Sequence, residues 1–530
     1  MDYYEHRKAG DADTYHLIAR AGAIIIALTL VDKGMALVKE VLMAHRFGIA
    51  ASLDVYNLAY ALPGLTMLMF TGAFVASFVP LYIEWSNRSS ATQANARALA
   101  LFYMSILFFG ILALAVYMLS PFIFPAMGYG LDANQKTLGI GIEKLLSVLL
   151  LIDGASIILT GLLHARKDFV GLHVAPISVN FVSIVLLLCC RQMGIYVLAW
   201  GMVLGTLGKF LYMGFSLHRS GFRFLDKVAL DKSEINTFLL LALPLLGGQL
   251  IANSNVLVDQ MMATQLPPGS VSTLRYAYRI NDLPTQVVII ALSRAIFPFI
   301  SEAAAVGNFD DLRNIFKYSI IFLGFVTFPI TCLVGLFADD IVAVLLQRGA
   351  FDGHAAEQTA KALVLYCSGL SFQAYTYVNG TFFAAMKNTM PLFVMGLVSI
   401  GLNFGFNLMF MHFLGVAGIA LSTTAVSVVV TLVFLVLLKR RLMITDLSDL
   451  YHSLSRLLMA VACMFVMGYL ALKLMGNLGI SRYVYFPTIT VLICSCYLGI
   501  IWLFKTRDLG VCFETVWGTI KNLKGRPHYG

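Results

Sequence analysis

The chain has 530 residues, of which 59% are hydrophobic and only 12% are charged, and its formal net charge at pH 7 is +9. A soluble domain carries about 25% charged residues, so the composition excludes a soluble globular protein and predicts a polytopic helical membrane protein. The basic residues fall mostly in short connectors, which excludes a nucleic-acid-binding block. The eight cysteines lie mainly in apolar runs without a CxxC pair, which excludes a disulfide framework.

Apolar runs recur along the whole chain, and a membrane-crossing helix needs about 20 such residues. We predict fourteen of these helices, near residues 17–46, 52–84, 95–120, 138–165, 170–190, 194–217, 235–265, 270–301, 314–347, 356–386, 390–412, 416–438, 454–475 and 484–504. The polar start of the chain lacks the features of a cleaved signal peptide, so the first helix is predicted to remain as an anchor. If the N-terminus is cytoplasmic, the inner connectors hold more than twice as many Lys and Arg residues as the outer ones. Both termini are therefore predicted to be cytoplasmic.

An internal repeat links the second and eighth predicted helices. The shared features are the Leu-Pro pairs Leu62-Pro63 and Leu283-Pro284 and the later pairs Pro80/Glu84 and Pro298/Glu302. Pro63-Gly64 is predicted to break helix 2 in mid-membrane, and Pro284 is predicted to kink helix 8. The second copy follows the first at an offset of six helices. Because six is even, both halves have the same orientation in the membrane. This is typical of lobes related by a pseudo-two-fold axis along the membrane normal.

The repeat predicts how the chain is divided. We expect an N-lobe of six helices and a C-lobe of six helices, followed by two extra helices and flanked by cytoplasmic tails. The predicted boundaries are 1–16 for the N-terminal tail, 17–217 for the N-lobe, 218–234 for a cytoplasmic linker, 235–438 for the C-lobe, 439–504 for the extra helices and 505–530 for a basic tail.

Charged residues interrupt predicted helices 1, 2 and 8. The basic ones are Lys33, Lys39, Arg275, Arg279 and Arg294, and the acidic ones are Asp32, Glu40, Asp54 and Asp282. A charge facing lipid at the bilayer centre costs about 2.5–3.5 kcal/mol. The charged residues of helix 1 share one helical face, as do Arg275, Arg279 and Asp282 of helix 8, and Arg294 follows about three turns later. They therefore predict a polar cavity, with the basic residues binding substrate phosphates and the acids acting in gating or charge pairing. The alternative is that they form structural ion pairs between the lobes, for example Lys39 with Asp54.

A second polar set lies in the predicted C-lobe. It includes Asp259, Asn403, Asn407 and Thr423, whose oxygen atoms suit a hard cation such as Na⁺. Interhelical hydrogen bonding by small polar residues is the alternative. The sequence has no Walker-type loop, HExxH motif, GxSxG motif or clustered Cys/His set. We therefore expect a transporter rather than an enzyme, with no bound cofactor.

Several runs resemble a known family. They are DKGMALVKEVLMAHRFGIAASLDVYNLAYALPGL, GAFVASFVPLYIE, SVSTLRYAYRINDLPTQVVIIALSRAIFPFIS and GVAGIALSTTAVS. These runs look like the MurJ/MviN family of bacterial lipid II flippases in the MOP exporter superfamily, and the resemblance covers about residues 17–440. It implies fourteen helices, a V-shaped two-lobe body, a central cationic cavity and transfer of a lipid-linked sugar from the inner to the outer leaflet.

The resemblance also assigns positions within the family's motifs. It implies cavity roles for Lys33, Lys39, Glu40 and Asp54 on helices 1 and 2, and for Arg279 and Asp282 on helix 8. The sodium-site pattern of some members matches Asp259, Asn403, Asn407 and Thr423, with an amide at 407 in place of a carboxylate. The basic pair that well-known members carry after the Leu-Pro pair of helix 2 is absent, because this chain has only apolar and hydroxyl residues after Gly64.

We therefore expect an inner-membrane flippase for an undecaprenyl-pyrophosphate-linked saccharide, with lipid II as the leading substrate. It would function as a monomer by alternating access, contact membrane lipid but no nucleic acid, and draw on Na⁺ or the membrane potential. One alternative is a flippase for another lipid-linked unit of the exopolysaccharide or O-antigen type, which the missing basic pair would allow. Another is a cation-coupled multidrug exporter, whose cavity should be acidic or aromatic rather than basic.

Overall fold

The computed structural model describes residues 2–224, 232–446, 448–477 and 482–503. These residues form seventeen α-helices and no β-strand. The all-helical fold follows from long apolar runs that satisfy their own backbone hydrogen bonds, as a chain in lipid must. The predicted basic tail 505–530 lies outside the described residues, as do residues 225–231 of the predicted linker 218–234.

The helices of the N-terminal half are long and mostly apolar. They are α1 (Asp2–Phe47), α2 (Ala51–Arg88), α3 (Ala91–Met127), α4 (Ala133–Ala165), α5 (Phe169–Val174), α6 (Ile177–Cys189), α7 (Tyr196–Arg219) and α8 (Lys232–Ala263). The predicted fifth span is thus two helices, α5 and α6. The helix-breaking Pro176 lies between them, at the N-cap of α6.

The C-terminal half continues the pattern. Its helices are α9 (Ser270–Pro284), α10 (Ile290–Ala305), α11 (Phe309–Leu346), α12 (Gly353–Ser368), α13 (Leu370–Ala385), α14 (Met390–Leu414), α15 (Val416–Arg441), α16 (Ser448–Asn477) and α17 (Arg482–Leu503). A π-helical turn, Thr285–Ile289, connects α9 to α10 directly after Pro284. Proline removes one backbone donor, and the wider turn is a common way to accommodate such a break.

Twelve helical spans in the described part of the chain are long and apolar enough to cross a membrane. This confirms a polytopic helical membrane fold, while the predicted count of fourteen is not confirmed. The predicted tenth span is broken at Gly369 into α12 and α13, which have 16 residues each. The predicted first span, which lies in α1, is not among these twelve, and it carries four charged residues close together. A predicted break in helix 2 at Pro63 is wrong, since α2 runs through Pro63 and Pro80 as one helix of 38 residues.

The chain divides into two compact units. The first comprises residues 1–272 with 348–351, and the second comprises 273–347 with 352–530. The repeat assigns α8 to the second lobe, but α8 packs against α2 within the first unit. The short segment 348–351 joins the first unit because the amide of Ala350 donates to the carbonyl oxygen of His45 at 2.8 Å. The lobe boundaries derived from the repeat stay a prediction.

Helix α4 is the centre of the first unit, where it packs against α2, α3 and α7. Three of its glycines lie directly under buried phenylalanine rings. Gly139 contacts Phe124, Gly154 contacts Phe109, and Gly161 contacts Phe78. A Cβ atom at Gly139 would lie 2.0 Å from the Phe124 ring, so these glycines let the helix backbones approach closely.

The second unit is built around α11. This helix packs against α12, α13, α16 and α17, and the buried Phe316, Phe337 and Phe382 fill its core. Polar contacts also tie α17 to α11. The Tyr485 hydroxyl donates to the buried Asp340 carboxylate at 2.8 Å, and the Tyr497 hydroxyl donates to the Phe325 carbonyl oxygen at 2.9 Å. Helices α16 and α17, predicted as extra helices, thus pack onto this unit.

Arg46 holds the end of α6 within the first unit. Its guanidinium donates to the carbonyl oxygens of Leu187, Cys190 and Arg191 at 3.0, 3.1 and 2.7 Å. These are carbonyls at a helix end, which lack partners inside the helix. We expect Arg46→Ala to lower the unfolding free energy by about 2 kcal/mol, because charged hydrogen bonds are lost. Thermal melting of the purified protein measures this, with Arg46→Lys expected to lie between the two. An alanine variant that melts like the wild type would contradict this role.

Candidate functional site

The charged residues of α1 lie in the first unit. Asp32 accepts a hydrogen bond from the Asn180 side chain of α6 at 3.0 Å, so this acid is tied to a neighbouring helix of the same unit. Lys33 is exposed and Lys39 is half-buried, whereas Glu40 is only 7% exposed. The helix therefore presents two cations of different accessibility, with a buried acid beside the second.

Asp54 is buried among hydrogen-bond donors of the first unit. It is 4% exposed, and its carboxylate accepts hydrogen bonds from the Gly269 amide at 2.6 Å and the Ser272 amide at 2.7 Å. The Ser272 hydroxyl donates to the same carboxylate at 2.6 Å. Asp54 thus anchors the segment that leads into α9, and these partners could not be read from the sequence. The structural alternative, an ion pair of Lys39 with Asp54, stays a prediction.

The helix 8 residues lie in the second unit, on both sides of the π-helical turn. Arg275 is half-buried on α9, and Arg279 on α9 and Arg294 on α10 are exposed. Asp282 accepts from the Gln286 amide at 3.3 Å across the turn. Exposed guanidinium groups offer paired donors to phosphate oxygens, so the chemistry of these side chains suits an anionic ligand. A single site formed with the α1 residues stays a prediction.

The candidate Na⁺ ligands are distributed over three helices. Asn403 and Asn407 are buried on α14, and the Asn407 amide donates to the Asn403 oxygen at 3.2 Å. Thr423 on α15 donates to the Ile419 carbonyl at 3.5 Å, and the buried Asp259 belongs to α8 of the first unit. Both of these hydrogen bonds lie within a single helix, so they decide neither for a Na⁺ site nor for the alternative of interhelical hydrogen bonding. The Na⁺ site stays a prediction.

Sequence reasoning missed two polar features of the first unit. Asp153 of α4 and Lys209 of α7 form an ion pair inside the membrane-spanning region, and Glu143 of α4 is completely buried. A signal for the pair was available, since each residue interrupts an otherwise apolar predicted span and the two have opposite charge. Burial of Glu143 had no such signal, because it lies in the first third of its helix, where exposure is common.

Comparison with known proteins defines the family. A family model described as "Lipid II flippase MurJ" matches residues 43–488. A relative from Rhizobium meliloti, named "Probable lipid II flippase MurJ", is 26% identical over 416 residues, which covers 75% of this chain and 76% of the relative. A relative from Bdellovibrio bacteriovorus, also named "Probable lipid II flippase MurJ", is 23% identical over 515 residues, which covers 95% of this chain and 98% of the relative.

Solved structures show the same fold. A chain titled "Lipid II flippase MurJ, inward closed conformation" matches with a TM-score of 0.77 at 21% identity, covering 92% of this chain and 99% of the other. A multidrug resistance MATE family transporter of the MOP superfamily, in an inward-facing conformation, matches with a TM-score of 0.69 at 14% identity, covering 79% of this chain and 98% of the other. With the family model spanning most of its length, the chain belongs to the lipid II flippase MurJ family.

Proposed function

We propose that this protein is a flippase that moves lipid II from the cytoplasmic to the periplasmic leaflet of the bacterial inner membrane, with both termini in the cytoplasm. The observation that carries the proposal is the family match across residues 43–488. Relatives named as lipid II flippases, aligned over most of their own length, support the same assignment.

The charges of the two units support an anionic substrate. In the second unit, the exposed cations Arg279 and Arg294 would contact the pyrophosphate, because Arg offers paired donors to phosphate oxygens. The exposed Lys33 of the first unit likewise attracts phosphate. Such residues persist in membrane helices where they face a polar path. A multidrug exporter is less well supported, since its likeness to this chain is one of fold alone, at 14% identity.

Asp54 gives the proposal a gating element. Alternating access needs contacts that exist in one state and are released in another. The three hydrogen bonds from Gly269 and Ser272 to Asp54 hold the start of α9 against α2. We assign this contact to the closed state of the outer side, which follows from the predicted topology with the start of α2 at the outer surface.

Complementation tests the substrate. We expect the chain to restore growth to a bacterial strain depleted of its own lipid II flippase, and lipid II labelled on the outer leaflet to recover to the undepleted level. Failure of both, with the protein present in the membrane at normal abundance, would refute the assignment. Loss of a surface polysaccharide in a deletion strain of the source organism, with intact peptidoglycan, would instead favour another lipid-linked substrate.

Removing a cavity cation should reduce transport without unfolding the protein. We expect Lys39→Gln and Arg279→Gln each to lower the transport rate at least about tenfold, because a charged hydrogen bond to phosphate contributes about 1.5–3 kcal/mol. Flipping of fluorescent lipid II in proteoliposomes measures the rate. Arg88→Gln is the matched control, since Arg88 forms an exposed i,i+4 pair with Glu84 and should transport normally. Unchanged transport in both test variants would contradict the cation site.

A further inference from the structure

Glu143 is a buried acid that the transport proposal does not use. It lies on α4 with an exposed fraction of 0%. Neither carboxyl oxygen accepts a hydrogen bond from any residue in the described part of the chain. Asp54, which is also buried, has three donors. These two buried acids of the first unit therefore differ in their hydrogen bonding: Asp54 accepts three hydrogen bonds, and Glu143 accepts none within the described residues.

The packing of α4 shows what surrounds Glu143. Gly139 contacts Phe124 and Gly154 contacts Phe109, so α3 runs antiparallel to α4 and Ser120 lies at the level of Glu143. On the α7 side, Gly141 lies beside Tyr196 and Asp153 pairs with Lys209. The two helices are therefore parallel, and Leu198 occupies the same level. Ser120 is 0% and Leu198 2% exposed.

The charged groups on the surrounding helices lie at other heights along the helix axes than Glu143. The titratable side chains of α2, α3, α5 and α7 are Asp54, Tyr56, Tyr60, Tyr82, Glu84, Arg88, Arg97, Tyr103, Tyr117, His173, Tyr196, Lys209, Tyr212, His218 and Arg219. The contact of Phe78 with Gly161 aligns α2 so that Tyr60, a neutral phenol, lies nearest in height to Glu143. Asp54 is about 9 Å further along the helix axis. On α4 itself, the Lys144 ammonium lies 5.3 Å from the centre of the Tyr117 ring.

These surroundings decide the form of the acid. An ionised carboxylate taken out of water without a cation or a donor costs several kcal/mol, and such a group takes up a proton instead. A metal ion would need several oxygen ligands. The nearby hydroxyls of Ser120 and Ser147 donate to the carbonyl oxygens of Tyr117 and Lys144 rather than to Glu143. In the described part of the chain, no group of three or more His, Cys, Asp or Glu side chains lies together to hold a metal ion. The chemistry fits a proton better than a metal ion.

We propose that Glu143 is a proton-binding site of the transporter. In this conformation the carboxyl carries a proton, and it releases that proton when movement of α3 or α7 against α4 admits water. This inference rests on the proposed transport function, and it makes the proton a coupling ion that binds within the first unit. Ionisable residues inside membrane helices commonly serve in proton relays.

Dicyclohexylcarbodiimide tests the protonated state without any lipid II. It reacts with a neutral carboxylic acid in an apolar site. The acid proton moves to a carbodiimide nitrogen, the carboxyl oxygen bonds to the central carbon, and the adduct rearranges to a stable N-acylurea. We expect mass spectrometry of the full-length protein in detergent at pH 7 to find the adduct on Glu143, with at least a tenfold loss of that adduct as the pH is raised to 10. Asp54 is the matched internal control and should be labelled less than Glu143 at pH 7, because three hydrogen bonds favour its ionised form.

Glu143→Gln keeps the shape of the neutral acid. We expect this variant to fold, to lack the adduct and to lose the pH dependence of melting that the wild type shows. The sign is fixed by proton linkage: a folded state that holds one more proton than the unfolded state becomes less stable as the pH rises. An unlabelled Glu143 at pH 7, together with equal pH dependence of melting in the two proteins, would overturn the proton site. Either result leaves the complementation test of lipid II transport unaffected.

Discussion

Asp54→Ala is expected to abolish transport and to lower the free energy of unfolding by about 3–5 kcal/mol, the cost of removing one partner from a buried charged network. Two backbone amides and one hydroxyl, from Gly269 and Ser272, would lose their acceptor in a buried place. Each unsatisfied buried donor costs about 1–3 kcal/mol. Thermal melting in detergent measures the stability, and flipping of fluorescent lipid II in proteoliposomes measures the activity.

Ser272→Ala is the graded control for this prediction. It removes one of the three donors and leaves both backbone amides bonded to Asp54. We therefore expect a loss of about 1 kcal/mol and a protein that still transports. If Asp54→Ala were no less stable than Ser272→Ala, the carboxylate would not be the anchor of this segment.

Breaking the ion pair between α4 and α7 should have a comparable effect on stability. The side chains of Lys209 and Asp153 are only 19% and 25% exposed, and they lie within apolar spans. Lys209→Met leaves the carboxylate without its cation, so we expect a loss of about 3 kcal/mol in unfolding free energy. Chemical denaturation in detergent micelles measures this loss.

The double variant Asp153→Leu with Lys209→Met separates the pair from its parts. Replacing both charges by apolar side chains of similar size is often neutral or stabilising, so this variant should recover most of the loss. Glu84 and Arg88, an exposed pair, supply the control, since their removal should cost less than about 1 kcal/mol. A double variant as unstable as Lys209→Met would show that packing, and not the unpaired charge, accounts for the loss.

The membrane fold could be predicted from the sequence because lipid imposes one strong rule, that apolar spans must be helical. Local detail was harder. Pro63 predicted a break in α2, yet the helix continues, since a membrane helix can absorb a missing hydrogen bond within a packed bundle. Pro284 does alter its helix, by inducing the π-helical turn. The local sequence does not distinguish these two prolines.

The sequence identifies the charged residues of α1 and α9 as candidates, because helical spacing fixes their positions along each helix. That they form one site stays a prediction, and their partners could not be predicted. The partners of Asp54 are backbone amides more than 200 residues away, and no residue pattern encodes such a contact. Asp32 likewise pairs with the amide of Asn180, where charge reasoning alone looked for a cation.

The π-helical turn at Thr285–Ile289 changes the directions in which the side chains of α10 point relative to those of α9. Such a turn contains one residue more than a regular helical turn, so side chains beyond it are rotated by about 100° relative to a continuous α-helix. Arg294 therefore points in a direction that cannot be extrapolated from Arg279 by the ordinary helical period. Deleting one residue from this stretch would turn Arg294 toward a different neighbour, and homologues with a regular helix here would align with a single-residue gap.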